Sequence, residues 1–389
     1  MKRLRHHVES LIRDDAPSSG DPFLDRLLEV SSRVFGVGVA ARIMAYRYGV
    51  INRVRLPCRV ISVGNLTVGG TGKTPMVVYL ARMLTGNGCR VAVLSRGYGS
   101  RIEGSGGIVS DGRRLSLSAD AAGDEPVLLS KQLLDRGVPV LVGRDRRQTG
   151  ETAVEQFGPD VVILDDGFQH LRLERDLDLL LMDAKTPMAN GFLLPRGGLR
   201  EPSSSIDRCD AIVLTRCDFR DVDGDAPFGV EGEGGFRRFG KPLFGSSHAP
   251  YIIAEPAYGC GDGGLGRKGG VDRLMGRRVF VFSGIARNEA FQKTVAEAGA
   301  WICGRMAFPD HHRYRGGDFS RIADAAVSAG SELILTTEKD WAKILPDVRF
   351  PLPIGRVGVE IEMGPSASRF ESFVLERLAL PSPPTLAEA

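Results

Sequence analysis

The chain has 389 residues, of which 42% are hydrophobic and 25% are charged. This balance is typical of a folded globular protein, and the length exceeds what one hydrophobic core usually holds, so we expect two domains. The formal net charge of +3 gives no electrostatic case for nucleic-acid binding. The six cysteines include no C-x-x-C pair, which argues against a zinc site or a disulfide framework and is typical of a reducing compartment.

Residues 1–50 are expected to form an N-terminal helical segment. They contain no apolar run close to the roughly 20 residues that a membrane span needs, and acidic residues among the first 30 argue against a secretory signal. Between Arg33 and Tyr48, however, apolar and aromatic side chains are mixed with arginines. Such a helix either lies at a membrane interface or packs on the core with a basic outer face. The pattern alone leaves both interpretations open.

Residues 51–220 alternate short apolar runs with helix-like segments. The predicted strands are rich in Val, Ile and Leu, as strands buried on both faces are; they lie at residues 59–64, 90–95, 138–143, 160–165, 178–183 and 211–215. Strands that alternate with helices predict a parallel sheet with helices on both faces. The predicted fold class is therefore α/β.

The remaining sequence predicts a second, smaller C-terminal α/β domain. Residues 221–271 are rich in glycine and are expected to be a loop-forming insert or linker. Strand-like patterns resume at R-R-V-F-V-F-S and E-L-I-L-T-T, which places this domain at residues 272–380. Residues 381–389 are expected to be a disordered tail.

The stretch G-N-L-T-V-G-G-T-G-K-T, Gly64–Thr74, stands between a predicted strand and a predicted helix. It matches a phosphate-binding loop (P-loop), except that Thr67 replaces the first glycine. In such a loop the backbone N–H groups cradle phosphates, the lysine reaches the β- and γ-phosphates, and the hydroxyl binds Mg²⁺. The sequence thus predicts a P-loop NTPase-like sheet whose nucleotide site is formed by Thr67, Val68, Gly69, Gly70, Thr71, Gly72, Lys73 and Thr74.

A pair of aspartates, Asp165 and Asp166, follows the predicted strand at residues 160–165. The carboxyl end of a strand beside a P-loop is where a Mg²⁺-organising carboxylate is expected. An aspartate pair in this place is also compatible with a helix cap, but the loop upstream favours the metal role, with Thr74 supplying the hydroxyl. Which of the two aspartates contacts Mg²⁺ is left open.

Polar turns supply candidates for the acceptor site. Arg96, Arg196 and Arg200 each adjoin glycine or proline, and arginines held in rigid turns suit an anionic substrate because the guanidinium matches phosphate. The ordinary alternative is solvated surface. Phosphoryl transfer also needs a base for the attacking hydroxyl. Asp124 and His311 are candidates, although the spacing does not show that they meet.

Seven motifs make the chain resemble a known family; in chain order they are G-N-L-T-V-G-G-T-G-K-T-P, S-R-G-Y-G, G-D-E-P, I-L-D-D-G-F-Q-H, L-L-P-R-G-G-L-R-E-P, F-S-G-I-A-R and F-P-D-H-H-R-Y. Over about residues 30–345 the chain resembles tetraacyldisaccharide 4'-kinase, the lipid A 4'-kinase family of Gram-negative bacteria. The resemblance implies transfer of the γ-phosphate of ATP to the 4'-hydroxyl of a tetraacylated glucosamine disaccharide 1-phosphate. The product is lipid IVA, an intermediate of lipid A biosynthesis.

The resemblance also implies residue roles by motif match. Asp124 would be the base, paired with His311, while Lys73 would act on the phosphates of ATP. Asp165 and Asp166 match the Mg²⁺-linked pair, and Glu201 matches an acidic residue near the metal. The residues that match the substrate side are Arg96, Tyr98, His170 and Arg200. The insert at residues 221–271 is longer than the family pattern leads us to expect.

Partners and location follow from the same resemblance. It implies a lipid substrate and a peripheral position on the cytoplasmic face of the bacterial inner membrane, reached through the N-terminal helix. Under this interpretation the segment Arg33–Tyr48 is interfacial. Neither nucleic acid nor an obligate protein partner is expected.

Two other functions fit parts of the sequence. A-I-V-L-T-R-C-D, Ala211–Asp218, resembles a guanine-reading N/T-K-x-D with Arg in place of Lys, which would suit a GTPase or ATPase regulatory module. A strand followed by a polar turn is the simpler interpretation. A P-loop kinase for a soluble small molecule would share the nucleotide site but would not need residues 1–50.

Overall fold

The computed structural model describes residues 21–219, 236, 239–255, 268–285, 288–310, 312–344 and 348–380. The predicted tail at 381–389, the first 20 residues of the N-terminal segment, most of the glycine-rich segment and His311 lie outside the described residues.

The first part of the chain forms helices and strands in alternation: α1 (Pro22–Arg47), β1 (Arg59–Gly64), α2 (Lys73–Gly86), β2 (Val91–Ser95), β3 (Gly107–Ser110), α3 (Ala119–Ala122), α4 (Asp124–Leu133), β4 (Val140–Val142), α5 (Arg146–Phe157), β5 (Val161–Asp165), β6 (Leu177–Asp183), β7 (Ala211–Thr215) and β8 (Leu243–Gly245). The strands make one eight-stranded sheet in the order β3-β4-β2-β5-β1-β6-β7-β8. Every neighbouring pair is parallel except β3 with β4. The predicted parallel α/β sheet is confirmed.

Burial explains why the predicted strands are so apolar. In β1, every residue after Arg59 is buried, and its neighbours β5 and β6 are buried along their whole length. Ile61 lies opposite Ile163 on one side and Leu177 on the other. A central parallel strand covered on both faces has no solvent side, so it needs no polar alternation. The P-loop strand therefore lies in the interior of the sheet, with a hydrogen-bonded strand on each side.

The second part of the chain forms a mixed sheet; its elements are β9 (Ser247–Glu255), β10 (Lys268–Gly270), β11 (Arg278–Ser283), α6 (Asn288–Glu297), β12 (Trp301–Ala307), α7 (Gly316–Ser328), β13 (Leu333–Thr337), α8 (Glu338–Trp341), β14 (Ile354–Glu362) and α9 (Ala367–Leu378). The six strands are ordered β10-β9-β14-β13-β11-β12. β9 pairs antiparallel with β14 along nine residues of each strand. This long ladder joins β9 and β10 to the parallel strands β14, β13, β11 and β12.

Two details differ from the expectation of a loop-forming segment followed by a separate domain. Within residues 221–271, β8 joins the first sheet, while β9 and β10 belong to the second, so this part of the segment is regular structure. The C-terminal helix α9 does not pack in the second core. Its Phe370 and Val374 are buried in the same cluster as Leu177 and Leu179 of the first sheet. The domain boundaries stay a prediction.

The helix α1 is attached along one side to the loop that follows β6. Asp21 caps its N-terminus by accepting hydrogen bonds from two backbone N–H groups. The Ser32 hydroxyl donates to the carbonyl of Leu193 at 2.6 Å, and Arg196 forms an ion pair with Glu29 at 2.9 Å. Within the described ranges, none of the helices combines the length and the apolar character of a membrane-crossing segment.

Candidate active site

The P-loop runs from the end of β1 into the first turn of α2. Gly72 has φ +83° and Lys73 is the first helical residue. Thr67, in place of the usual glycine, forms an antiparallel bridge with Leu199, and the next N–H, of Val68, donates to the carbonyl of Gly198 at 2.8 Å. A residue in this extended pairing needs no glycine. The loop after β6 therefore supports the P-loop where a glycine is missing.

Lys73 reaches across the mouth of the loop. Its ammonium donates to Asn65 Oδ1 at 3.1 Å and lies 3.5 Å from Asp166 Oδ1. Arg200 contacts the same carboxylate, with Nη1 at 2.8 Å from Oδ2 and 3.0 Å from Oδ1. The structure thus brings together three of the predicted residues, Lys73, Asp166 and Arg200, in one charged cluster.

The pKa values of the two adjacent aspartates are shifted in opposite directions. Asp165 is buried and accepts a hydrogen bond from the Ser95 hydroxyl at 2.9 Å. Burial, followed by repulsion from Glu125 and Asp166, raises the pKa of Asp165 to about 7. Burial also pushes the pKa of Asp166 upward, but attraction to Lys73 and Arg200 outweighs it and lowers that pKa below its ordinary value. Asp165 is therefore the carboxylate whose ionised form a bound cation would stabilise more.

The side chains at this site are suited to a Mg²⁺ ion that is bound together with phosphate. Among the described residues, no three His, Cys, Asp or Glu side chains form a ready metal cage. Mg²⁺ in kinase sites typically takes one or two carboxylates, with phosphate and water oxygens completing the shell. Asp165 and the Thr74 hydroxyl, which line the same cleft, supply such a set. Glu201 is buried and forms an ion pair with Arg208 at 2.7 Å. This contact does not connect Glu201 with the metal, so its position near the metal stays a prediction.

One large cleft of about 2680 Å³ contains the P-loop and most of the predicted acceptor residues. Its lining includes Arg96, Tyr98, Asp124, His170 and Arg200. Small-molecule pockets usually measure some 300–1,000 Å³, so this cleft has room for a nucleotide and a second substrate together.

The substrate-side candidates differ in their surroundings. Arg96 pairs with Glu103 at 2.8 Å and stacks over Tyr98 at 5.3 Å. Burial, assisted by the cation of Arg146, lowers the pKa of His170 to about 4. The Nε2 atom of His170 is buried and has no hydrogen-bond partner within the described part of the chain. His170 therefore lines the cleft as a largely buried, neutral imidazole.

Arg196 has a structural role instead of the substrate contact that its sequence context favours. It pairs with Glu29 of α1 at 2.9 Å, and its guanidinium lies 3.7 Å from the ring centre of Phe192. These contacts attach the N-terminal helix to the loop that precedes the active-site Arg200.

Asp124, the predicted base, is the first residue of α4. Its Oδ2 lies 3.4 Å from the ammonium of Lys343, which comes from the second part of the chain just after α8. The predicted pairing with His311 cannot be described, because His311 lies outside the described residues. The following residue, His312, pairs with Asp318 at 3.1 Å. Sequence reasoning missed Lys343, since nothing local connects it with Asp124.

Arg216, from the guanine-like T-R-C-D stretch, supports the P-loop. Its guanidinium donates to the carbonyl of Gly70 and pairs with Asp183. His248 from β9 also contacts the loop, because a Cβ placed on Gly72 would lie 2.5 Å from its Nε2. The simpler interpretation, a strand followed by a polar turn, matches this arrangement. His248 was not predicted and carries no motif that could have revealed it.

Known proteins resemble this chain over nearly its full length. The sequence profile of the LpxK family, tetraacyldisaccharide-1-P 4'-kinase, matches residues 24–379. A tetraacyldisaccharide 4'-kinase from Syntrophus aciditrophicus (strain SB) is 43% identical over 380 residues, covering 96% of this chain and 99% of the relative. Another from Desulfatibacillum aliphaticivorans is 37% identical over 382 residues, covering 98% and 100%. The crystal structure of LpxK from Aquifex aeolicus in complex with ATP has a TM-score of 0.71, 32% identity and coverage of 91% and 99%.

Proposed function

The chain belongs to the tetraacyldisaccharide-1-P 4'-kinase family, and we propose that it transfers the γ-phosphate of ATP to the 4'-hydroxyl of a tetraacylated glucosamine disaccharide 1-phosphate. The product is lipid IVA, in lipid A biosynthesis. The observation that carries the proposal is the single cleft that holds the P-loop, the Asp165–Asp166 pair and Asp124.

The nucleotide half of the reaction is assigned to residues 67–74. Their backbone N–H groups would hold the phosphates at the start of α2, where the helix dipole favours negative charge. Lys73 would move its ammonium from Asn65 and Asp166 to the β- and γ-phosphates. Thr74 and Asp165 would hold Mg²⁺, which neutralises phosphate oxygens when bound. Arg200 would keep Asp166 ionised and oriented beside the transferring group.

The acceptor half is assigned to other residues that line the same cleft. Asp124, with His311 as its proposed partner, would take the proton from the 4'-hydroxyl as the bond to phosphorus forms. Arg96, Tyr98 and His170 would contact the disaccharide. Since phosphoryl transfer is catalysed mainly by alignment and charge neutralisation, the fixed positions of these side chains matter more than any one contact.

The position of the protein is proposed to be peripheral, on the cytoplasmic face of the inner membrane. The support is α1, whose side away from the sheet exposes large apolar side chains; Phe23 is 80% exposed, Val34 69% and Val37 71%. Such a surface costs free energy in water and fits the interface between headgroups and acyl chains. The protein would then meet its lipid acceptor at the membrane, where the lipid resides.

The reaction itself is the direct test. The purified protein is incubated with Mg·ATP and a detergent-dispersed tetraacyl disaccharide 1-phosphate, and mass spectrometry is used to find one added phosphate on the distal sugar. GTP in place of ATP tests the regulatory-module alternative, and a water-soluble, deacylated disaccharide tests the soluble-substrate alternative. Absence of the phosphorylated lipid, with ATP still bound, would refute the proposed acceptor.

A further inference from the structure

Lys343 occupies an unusual position between the two sheets. Its side chain is only 7% exposed, and its ammonium lies 3.1 Å from Asp340 Oδ1 and 3.4 Å from Asp124 Oδ2. A buried ammonium is costly unless it is paired. Here one cation faces two carboxylates, one from each part of the chain.

Asp340 is the fixed partner of this trio. It is completely buried, and its Oδ2 accepts hydrogen bonds from the N–H of Gly284 at 2.9 Å and the hydroxyl of Thr337 at 2.8 Å. These bonds hold the carboxylate in one orientation, so the ammonium of Lys343 is held as well. Lys343 and Asp340 neutralise each other, which leaves Asp124 as a second carboxylate beside a cation that is already paired.

We propose that Lys343 is a positioning residue that orients the carboxylate of Asp124 toward the acceptor hydroxyl and keeps it ionised. The proposal rests on the proposed function, in which Asp124 is the base. A cation 3.4 Å away favours the ionised form of a carboxylate. Because that cation is also paired with Asp340, its attraction is divided between two carboxylates. A catalytic carboxylate displaced by about 1 Å can lose some 100-fold in rate.

The chain offers a matched control close by. Lys339, on α8, pairs across the same junction with Glu125 at 3.2 Å, but both partners are more exposed. Lys343→Met is expected to lower kcat by about 10- to 100-fold with KM for ATP within about twofold. Lys343→Arg should restore part of kcat, and Lys339→Met should leave it unchanged.

Combining the Lys343 and Asp124 substitutions distinguishes a positioning role of Lys343 from a general contribution to the stability of the fold. In an Asp124→Asn background, Lys343→Met should cause no further loss of kcat, since the carboxylate it positions is absent. Lys343→Met leaves Asp340 buried without its cation, which destabilises the fold. The double variant Lys343→Met with Asp340→Asn removes both charges and should show the same loss of kcat. Urea unfolding of each variant identifies those that fold.

Three results would overturn the inference: near-normal kcat in a folded Lys343→Met protein, an equal loss from Lys339→Met, or a full additional loss in the Asp124→Asn background. Failure of the proposed function is distinguishable, because the wild-type protein would then give no phosphorylated disaccharide at all.

Discussion

Replacement of Gly72 by alanine tests the packing of the second sheet against the P-loop. Gly72 has φ +83°, and a Cβ there would lie 2.5 Å from Nε2 and 3.2 Å from Cε1 of His248. His248 belongs to β9 and its Nε2 is buried. Gly70, two residues earlier, is the matched control, because it lies outside the left-handed region and a Cβ there meets nothing within 4 Å.

The expected cost has two parts. A left-handed backbone costs an alanine about 1–2 kcal/mol relative to glycine, and the displaced His248 ring adds about 1–3 kcal/mol of overpacking. Gly72→Ala should therefore lower the free energy of unfolding by roughly 2–5 kcal/mol. Gly70→Ala should stay within about 0.5 kcal/mol of wild type. His248→Ala combined with Gly72→Ala should recover the overpacking part only.

The assay is urea unfolding followed by circular dichroism, with the slope m compared among variants so that a shift of the midpoint reports stability. The four proteins of the Gly72 and His248 cycle give the interaction free energy directly. Equal losses from Gly70→Ala and Gly72→Ala, or additive effects of the two substitutions in the cycle, would show that His248 does not pack on the loop.

Four further outcomes are expected. Lys73→Ala should abolish phosphoryl transfer because the γ-phosphate loses its main cation; near-normal turnover would contradict the P-loop assignment. Asp124→Ala should lower kcat by about 10²–10⁴ with little change in ATP affinity measured by calorimetry, and a parallel loss of affinity would assign it to the nucleotide. Burial lowers the pKa of His248 from 6.5 to about 4, so stability should be full above pH 6.5 and fall toward pH 4; His248→Gln should reduce that fall by roughly 2 kcal/mol at pH 5. Val34→Asp should reduce flotation with anionic vesicles, whereas Val327→Asp, an exposed site on α7, should not.

The first sheet was predictable because its signals are local. Strands such as Val161–Asp165 are short, nearly uninterrupted apolar runs. Such runs are typical of strands buried on both faces, and they lack the spacing of apolar residues that an amphipathic helix shows. The strand at Leu243–Gly245 was missed because three residues after a glycine-rich stretch carry no pattern. Residues 272–380 are predicted to form the second domain, but helix Ala367–Leu378 packs on the first sheet. Its amphipathic pattern shows that one face is buried, but not that the chain returns to the first sheet.

The functional site, like the fold, has a part that the sequence predicts and a part that it does not. Lys73 and the aspartate pair were predicted because a P-loop and a strand end place their side chains by local geometry. Lys343 and His248 contact the site only because the two sheets meet there. A single lysine or histidine far along the chain has no spacing that records such a meeting, so only the folded structure reveals it.

The adjacent carboxylates Asp165 and Asp166 show how the site is prepared before substrates bind. Asp166 already has its countercharges in Lys73 and Arg200, whereas burial, together with repulsion from Glu125 and Asp166, raises the pKa of Asp165 to about 7. ATP would draw Lys73 toward its phosphates and leave Asp166 to Arg200. A cation bound with the nucleotide would add a countercharge beside Asp165. Since ATP would take one cation, Lys73, from beside this carboxylate pair and the bound cation would replace it, the two ligands have a physical reason to bind together.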